Sequence, residues 1–347
     1  MDANACFGVL LATVAGFAVG GAAWPVKRMR AFRYEQWGFL AMLVGLIITP
    51  WLVVVCFCPD AFSAYQSVGG RVLLKSNLFS LSWGIANVLF LICFERIGMS
   101  LTTGIVTGLG VSVGVTMPMV LKGTGPFQKA PDLDSSAGLT VLAAVGVMLL
   151  GVVLTSLAGA GREKGKTSEG KPRSRFAISL LMVVVAGILS AGIGLSFVYS
   201  QGPIIEAMKA HGSGDVAANV AVWAAGLLAG ATLNVLYPAW LMCRNRSWGV
   251  LFRHAREIPL ALIFGLTFFT GFALMGKGMV LLGALGASVG IGVQQAAQIL
   301  GGQAVGFFGG EWRGVRGKPL IQICSAIALL IIAVVIMAIV SFSQNEL

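Results

Sequence analysis

Charged residues are scarce in this sequence of 347 residues. Asp, Glu, Lys and Arg together make up 11% of the chain, whereas a soluble protein carries roughly a quarter. Long apolar runs take their place, and those at 5–24, 37–57, 78–94 and 101–121 each approach the roughly 20 residues that cross a bilayer as a helix. This composition excludes a soluble globular protein. The length of the runs excludes an outer-membrane barrel, whose strands are short and alternate in polarity.

Residues suited to catalysis or metal binding are also few. The chain has two histidines and six cysteines, and the only close-set pair, Cys56 and Cys58, lacks the second pair or the histidine that a metal site needs. Glycine-rich stretches lie inside apolar runs rather than in a phosphate-binding loop with Lys and Ser or Thr. We therefore expect no enzymatic activity, no metal site and no ATP-driven pumping by this chain.

The apolar segments predict an all-α polytopic membrane protein with ten transmembrane helices in two inverted five-helix repeats. A Gly-, Lys- and Ser-rich stretch at 159–175, GAGREKGKTSEGKPRSR, reads as a flexible linker between the repeats at 1–158 and 176–347. Five is an odd number, so the second repeat enters the membrane from the opposite side, as in many secondary transporters. The segments lie at about 5–24, 36–57, 77–97, 101–121, 138–158, 176–200, 217–242, 258–280, 282–308 and 319–342.

The basic residues predict the orientation of these helices. Of the 24 Lys and Arg residues, 18 fall in the first, third, fifth, seventh and ninth connectors. By the positive-inside rule those connectors are cytoplasmic, which places both termini outside a multi-pass inner-membrane protein. The net charge of +11 is then an orientation signal in contact with a lipid bilayer. We expect no nucleic-acid partner.

A short internal match supports the duplication. The stretch LGVSVGV at 109–115 recurs as LGASVGI at 285–291, in the fourth and ninth segments. Small residues at four-residue spacing let helices approach closely. We predict that Gly110, Gly114, Gly286 and Gly290 serve helix packing and gating; static close packing is the alternative.

Amides near the middle of the membrane are the candidate substrate-binding groups. The third segment has its midpoint near Asn87, with Trp83 one helical turn earlier on the same face. An aromatic face beside an amide suits a sugar, whose C–H bonds stack and whose hydroxyls both donate and accept hydrogen bonds. The alternative is an interhelical hydrogen bond from Asn87, with Trp83 as packing.

The ninth segment carries three glutamines within one apolar span. Gln294 and Gln298 share a helical face near its midpoint, and Gln295 lies beside them. Burying such amides is costly unless they are paired, so we predict that they line a cavity, with interhelical bonding as the alternative. Ser190 in the sixth segment is a weaker candidate, since its hydroxyl can bond its own helix.

Five stretches carry a family resemblance: PVKRMRAFRYEQWG at 25–38, PW at 50–51, WGIANVLF and RIGMS within 83–100, GILSAG at 187–192, and GEW at 310–312. In this order they resemble the L-rhamnose–proton symporter family of the drug/metabolite transporter superfamily. The Trp-Gly-x-x-Asn stretch followed by Gly-Met-Ser is the most specific piece. The resemblance implies a ten-helix fold, an inner-membrane location and uptake of L-rhamnose or a related sugar with protons.

The sequence thus predicts a secondary transporter that takes up a monosaccharide by alternating access. No cofactor is expected beyond a coupling proton or sodium ion. The residues give proton coupling no direct support, since both histidines lie in connectors and no carboxylate lies near a segment midpoint. Two alternatives stay open: an exporter or a carrier for a different small metabolite, and a non-transporting membrane protein such as a sensor.

Overall fold

The computed structural model describes residues 3–97, 99–121, 132–163 and 173–343. Residues 164–172 of the predicted linker lie outside the described residues. The described ranges are helical throughout, without a β-strand among them. The helices are α1 (Ala3–Gly21), α2 (Tyr34–Met42), α3 (Thr49–Phe57), α4 (Ala61–Val68), α5 (Gly70–Ile97), α6 (Met99–Val120), α7 (Ser136–Glu163), α8 (Arg173–Ser190), α9 (Gly192–Ala210), α10 (Asp215–Gly226), α11 (Leu228–Arg244), α12 (Gly249–Arg253), α13 (Ile258–Leu281), α14 (Ile291–Phe308) and α15 (Lys318–Ser343).

Eight helical spans in the described residues are long and apolar enough to cross a membrane. A ninth is obtained when α10 and α11 count as one span bent by 59°. Two spans are composite: a π-helical turn at Leu43–Ile48 joins α2 to α3, and α8 continues into α9. The all-helical membrane fold is therefore confirmed, with eight or nine spans.

The ninth predicted segment, at 282–308, has no counterpart among these spans, and its first third is irregular. A 3₁₀ turn at Gly283–Leu285 and a π-helical turn at Gly286–Gly290 precede α14. The stretch at 285–291 therefore differs from its match at 109–115, which lies in the regular helix α6. Ten spanning helices and the inverted repeat stay predictions.

Helix α1 is packed between α13 and α14. Glycines make this approach possible: a Cβ at Gly16 would overlap the carbonyl oxygen of Gln294, and one at Gly20 would overlap that of Gln298. Close backbone contact of this kind lets helices associate in lipid through van der Waals packing. It also fixes the depth at which the glutamines of α14 lie relative to α1.

A polar stripe on α5 holds the bent span α10–α11. Asn77 bridges the break, because its Nδ2 donates to the Ala225 carbonyl at 2.8 Å while its Oδ1 accepts from the Ala229 amide at 2.8 Å. Ser80 accepts from the Gly230 amide at 3.1 Å. The bend would otherwise leave these backbone groups unpaired in an apolar environment, where each costs several kcal/mol. Because Asn77 and Ser80 pair these backbone groups, the break between α10 and α11 is a stabilised part of the fold.

Candidate functional site

A cavity of about 990 Å³ opens among the described residues. Its walls come from α1, α2, α5, α6, α7, α11, α13 and α14. Its rim carries Lys27, Arg96, Arg162 and Arg244. We call the end of the bundle that bears these four residues the basic face; it is the face predicted to be cytoplasmic.

The cavity lining mixes aromatic rings with small polar groups. Sugars suit such surfaces, since rings stack on their C–H faces while amides and hydroxyls pair with their hydroxyl groups. A volume of this size lies within the usual range for small-molecule sites. The rings are those of Tyr34, Trp37, Phe90, Tyr237, Trp240, Phe264 and Trp312, and the polar groups include Thr103, Thr107, Thr155, Ser156, Gln298 and Gln303.

Gln298 is the only one of the six predicted substrate-binding residues that lines this cavity. Its Oε1 accepts a hydrogen bond from Gln294 Nε2 at 3.0 Å. Gln294 is itself buried, with 3% of its surface exposed. The pair forms because residues four apart lie on one helical face. Gln295, half-buried on α14, does not line the cavity.

Asn87 and Trp83 lie beside the cavity rather than in its wall. Asn87 Nδ2 donates to Asn234 Oδ1 at 3.0 Å, so the interhelical hydrogen bond considered above is present. Asn234 in turn donates to the Gly230 carbonyl at 2.8 Å. Trp83 is buried and meets Phe272 edge-on, with ring centroids 6.2 Å apart. Phe90, nearly one turn beyond Asn87, is the nearest of the α5 residues that border the cavity.

Ser190 and the four predicted packing glycines lie at helix contacts. Ser190 donates to the Gly187 carbonyl at 2.7 Å, and Gly110 packs against its hydroxyl. Gly114 contacts Ile291, at 3.5 Å from the Cβ position. The other two pack on the preceding helix α13: Gly286 against the Met279 backbone and Gly290 against the Met279 side chain.

An ionic cluster at the rim was not predicted from the sequence. Glu311 lies 2.6 Å from Lys27 Nζ and 2.6 Å from Arg162 Nη1. Arg162 also lies over the ring of Trp312, 5.2 Å from its centroid. Three separate connectors supply these groups, so no local motif could have revealed the cluster.

The cluster keeps its carboxylate ionised. Burial raises the pKa of Glu311, but the hydrogen bonds and charges of Lys27 and Arg162 outweigh burial and hold that pKa below the ordinary value of a glutamate. The charged rim of the cavity therefore has a fixed acceptor between two cations. For Glu311 to carry a proton, Lys27 and Arg162 would first have to move away from its carboxylate.

The comparisons with known proteins agree with one another, because the family profile and the similar proteins carry the same description. The profile of the family described as L-rhamnose-proton symport protein matches residues 1–343. L-rhamnose-proton symporters from Yersinia pestis (strain Pestoides F) and Yersinia pseudotuberculosis serotype O:1b (strain IP 31758) are each 24% identical over 316 residues, covering 89% of this chain and 90% of theirs. A symporter from Yersinia pestis bv. Antiqua (strain Antiqua) is 28% identical over 213 residues, covering 61% of this chain and 60% of its own.

Proposed function

Since the chain belongs to the L-rhamnose–proton symport family, we propose that it carries L-rhamnose or a related monosaccharide into the cell together with a proton. Members of this family are transporters and not enzymes, and the chain is a multi-pass protein of the inner membrane. The observation that carries the proposal is the 990 Å³ cavity of aromatic rings, hydroxyls and one buried amide pair. An identity of 24% leaves the exact sugar to experiment.

We propose transport by alternating access between two inverted repeats of five helices. The linker and the matched stretches at 109–115 and 285–291 support the duplication. Helix α6 packs against the turn at Gly286–Gly290, so the two matched stretches meet. Gly110 and Gly114, which pack on Ser190 and Ile291 of the second repeat, would provide close contacts across which the repeats rock. Gly286 and Gly290, which pack on α13, would serve packing within their own repeat during gating.

Within that cycle we assign substrate contact to Gln298 and, through it, to Gln294. Asn87, Trp83, Gln295 and Ser190 would reach the sugar in other conformations of the cycle. Asn87 can do so only by exchanging its hydrogen bond to Asn234 for one to a hydroxyl group, an exchange of similar partners that costs little.

The proposed orientation places the basic face in the cytoplasm and both termini outside. A cavity open on that face is then the inward-facing vestibule from which sugar is released. Family membership supports a proton as the coupling ion, with sodium as the alternative.

Uptake into proteoliposomes tests these statements. Purified protein is incorporated, and uptake of radiolabelled L-rhamnose, L-fucose, L-mannose and D-glucose is followed with and without an inward proton gradient. We expect saturable uptake of a deoxy sugar. An inward proton gradient should accelerate this uptake, and an uncoupler should abolish the acceleration. A sodium gradient in place of the proton gradient separates the two ions, and the absence of saturable uptake of any sugar would refute the proposal.

A further inference from the structure

Buried polar atoms without hydrogen-bond partners are concentrated on α9 and α10. In the described residues seven such side-chain atoms occur, and five of them belong to residues 201–223. Three of the five meet on α10: both amide atoms of Asn219 and Nε1 of Trp223. Buried polar groups in native proteins are nearly always paired, so this concentration calls for an explanation.

Two of these atoms, Trp223 Nε1 and Asn219 Oδ1, converge on a glycine of the neighbouring helix α13. A Cβ placed on Gly276 would lie 2.7 Å from Trp223 Nε1 and 2.8 Å from Asn219 Oδ1. Asn219 and Trp223 are four residues apart and so lie on one face of α10. Both are almost completely buried, with 3% and 2% of their surfaces exposed. The side chains of Asn219 and Trp223 thus pack on the backbone at Gly276, which offers neither of them a hydrogen-bond partner.

Aromatic rings enclose the same place. Phe197 stacks on Trp223 with centroids 4.5 Å apart, and Phe272 stacks on Trp223 at 5.2 Å. Phe272 also meets Trp83, the tryptophan predicted to contact the substrate. The unpaired amide of Asn219 and indole of Trp223 therefore lie at one end of a cluster of aromatic rings. This cluster extends through Phe272 to Trp83 on α5.

A comparison with Asn77 shows that the fold can satisfy a buried asparagine. Asn77 uses both amide atoms to bridge the break between α10 and α11. Asn219, two turns from that break on α10, uses neither in this conformation. A structural role therefore accounts for Asn77 and not for Asn219.

Helix α10 has two features that bear on a movement away from α13. It joins α11 through a 59° bend, and broken helices form the binding sites of many secondary transporters. Toward the end opposite the basic face it is tied by exposed ion pairs, Asp215 with Lys209 at 2.6 Å and with Lys277 at 3.7 Å. Exposed pairs of this kind are weak, so opening this end requires little free energy from them.

We propose that Asn219 and Trp223 form a subsite for the hydroxyl groups of the transported monosaccharide. It is closed against Gly276 in this conformation and opens when α10 moves away from α13, on the side from which sugar enters. The amide then donates and accepts, the indole N–H donates, and the rings stack on the sugar's C–H face. This inference rests on the proposed function and adds residues outside the cavity to it.

The test compares Asn219→Leu with Asn77→Leu, the same substitution at an unpaired and at a paired asparagine. For each full-length variant in proteoliposomes the KM for L-rhamnose, Vmax and the Tm of the detergent-purified protein are measured. We expect Asn219→Leu to raise KM by about tenfold, the loss of one hydrogen bond or more, with a Tm equal to or above that of the unmodified protein. Asn77→Leu is expected to lower the Tm.

The outcomes separate the subsite from the transport function. Saturable uptake by the unmodified protein with an unchanged KM in Asn219→Leu overturns the subsite alone, as does a Tm that falls as far as in Asn77→Leu. Absence of sugar uptake by the unmodified protein overturns the proposed function and the subsite's ligand together. Trp223→Phe retains the stacking and removes only Nε1, so we expect a smaller rise in KM; an unchanged KM would remove the indole from the subsite.

Discussion

The polar groups at the two ends of the helix bundle are arranged in opposite ways: at one end they line an open cavity, and at the other they are packed closed. At the basic face a cavity reaches Gln298, and two of its rim cations, Lys27 and Arg162, share the carboxylate of Glu311. At the other end the polar groups of α10 are packed shut, with Asn219 and Trp223 pressed on Gly276. The lining of the cavity includes no residue of α9 or α10.

This asymmetry is what we expect of one state in a transport cycle. Buried polar atoms in most proteins are paired. A carrier that opens alternately to two sides would leave the polar groups of its closed side without partners. Asn219 and Trp223 at the closed end have none, whereas the basic face, where Nε1 of Trp312 is likewise unpaired, has a cavity that reaches Gln298.

Filling the open end has the largest expected effect. Gly302 lines the cavity, and a Cβ there would have no atom within 4 Å. Gly302→Phe should therefore fold normally while its ring occupies the pathway, lowering sugar uptake to below about a tenth of the unmodified rate. Uptake assays together with the Tm decide this, and Gly302→Ala is the matched control. Full uptake by Gly302→Phe would show that sugar does not pass through this cavity.

Removing one cavity amide should have a smaller effect. Gln298→Leu takes a hydrogen-bonding group from the lining, so we expect KM to rise about tenfold, or about 1.4 kcal/mol. Gln295 on the same helix lies outside the lining in this conformation, so Gln295→Leu should raise KM less than Gln298→Leu does. Equal effects of the two substitutions on KM would break the distinction between lining and neighbouring glutamines.

The rim cluster should make stability depend on pH in a defined direction. Glu311 has a lowered folded-state pKa, so its ion pairs contribute fully above the ordinary glutamate pKa. That contribution is lost as the pH falls through the lowered value. Glu311→Gln should lower stability at neutral pH by about 1 kcal/mol, a figure reduced for solvent screening. Tm values of both proteins measured from neutral to acid pH should converge at the acid end; a constant difference would rule out ionisation as the cause.

Breaking the ion pairs at the closed end should have the smallest effect. Asp215 pairs with Lys209 and Lys277 at the surface. Asp215→Asn should leave the Tm nearly unchanged, because exposed pairs contribute little. It should shift the population toward the state open at this end, detected as faster labelling of Asn219→Cys by a small thiol reagent. Slower or unchanged labelling would show that these pairs do not help to hold α10 closed.

The all-helical membrane class and most of the spans could be predicted from the sequence because apolar length is a local signal. The ninth segment could not, since the stretch at 285–291 has nearly the same letters as its match at 109–115. Its surroundings differ: Gly286 packs on the Met279 backbone of α13, whereas Gly110 at the matching position packs on Ser190 of α8. Nearly the same small residues thus adopt two helical forms in two different surroundings.

The candidate site was predicted less completely. Spacing by four residues identified Gln294 and Gln298 as a pair on one face, and they are hydrogen-bonded. The same reasoning could not show that Asn87 faces Asn234, since a sequence does not say which helix lies opposite. Glu311 and its two cations come from three connectors, and Asn219 becomes notable only when its partners are found to be missing.

The most direct test of the central claim is labelling of Gly302→Cys by a membrane-impermeant maleimide in right-side-out and inside-out vesicles. The unmodified protein, with its six native cysteines, supplies the background in each orientation. A cavity open on a cytoplasmic basic face predicts strong labelling in inside-out vesicles that L-rhamnose slows, and little in right-side-out vesicles. Labelling chiefly in right-side-out vesicles, or labelling that no sugar affects, would contradict the account.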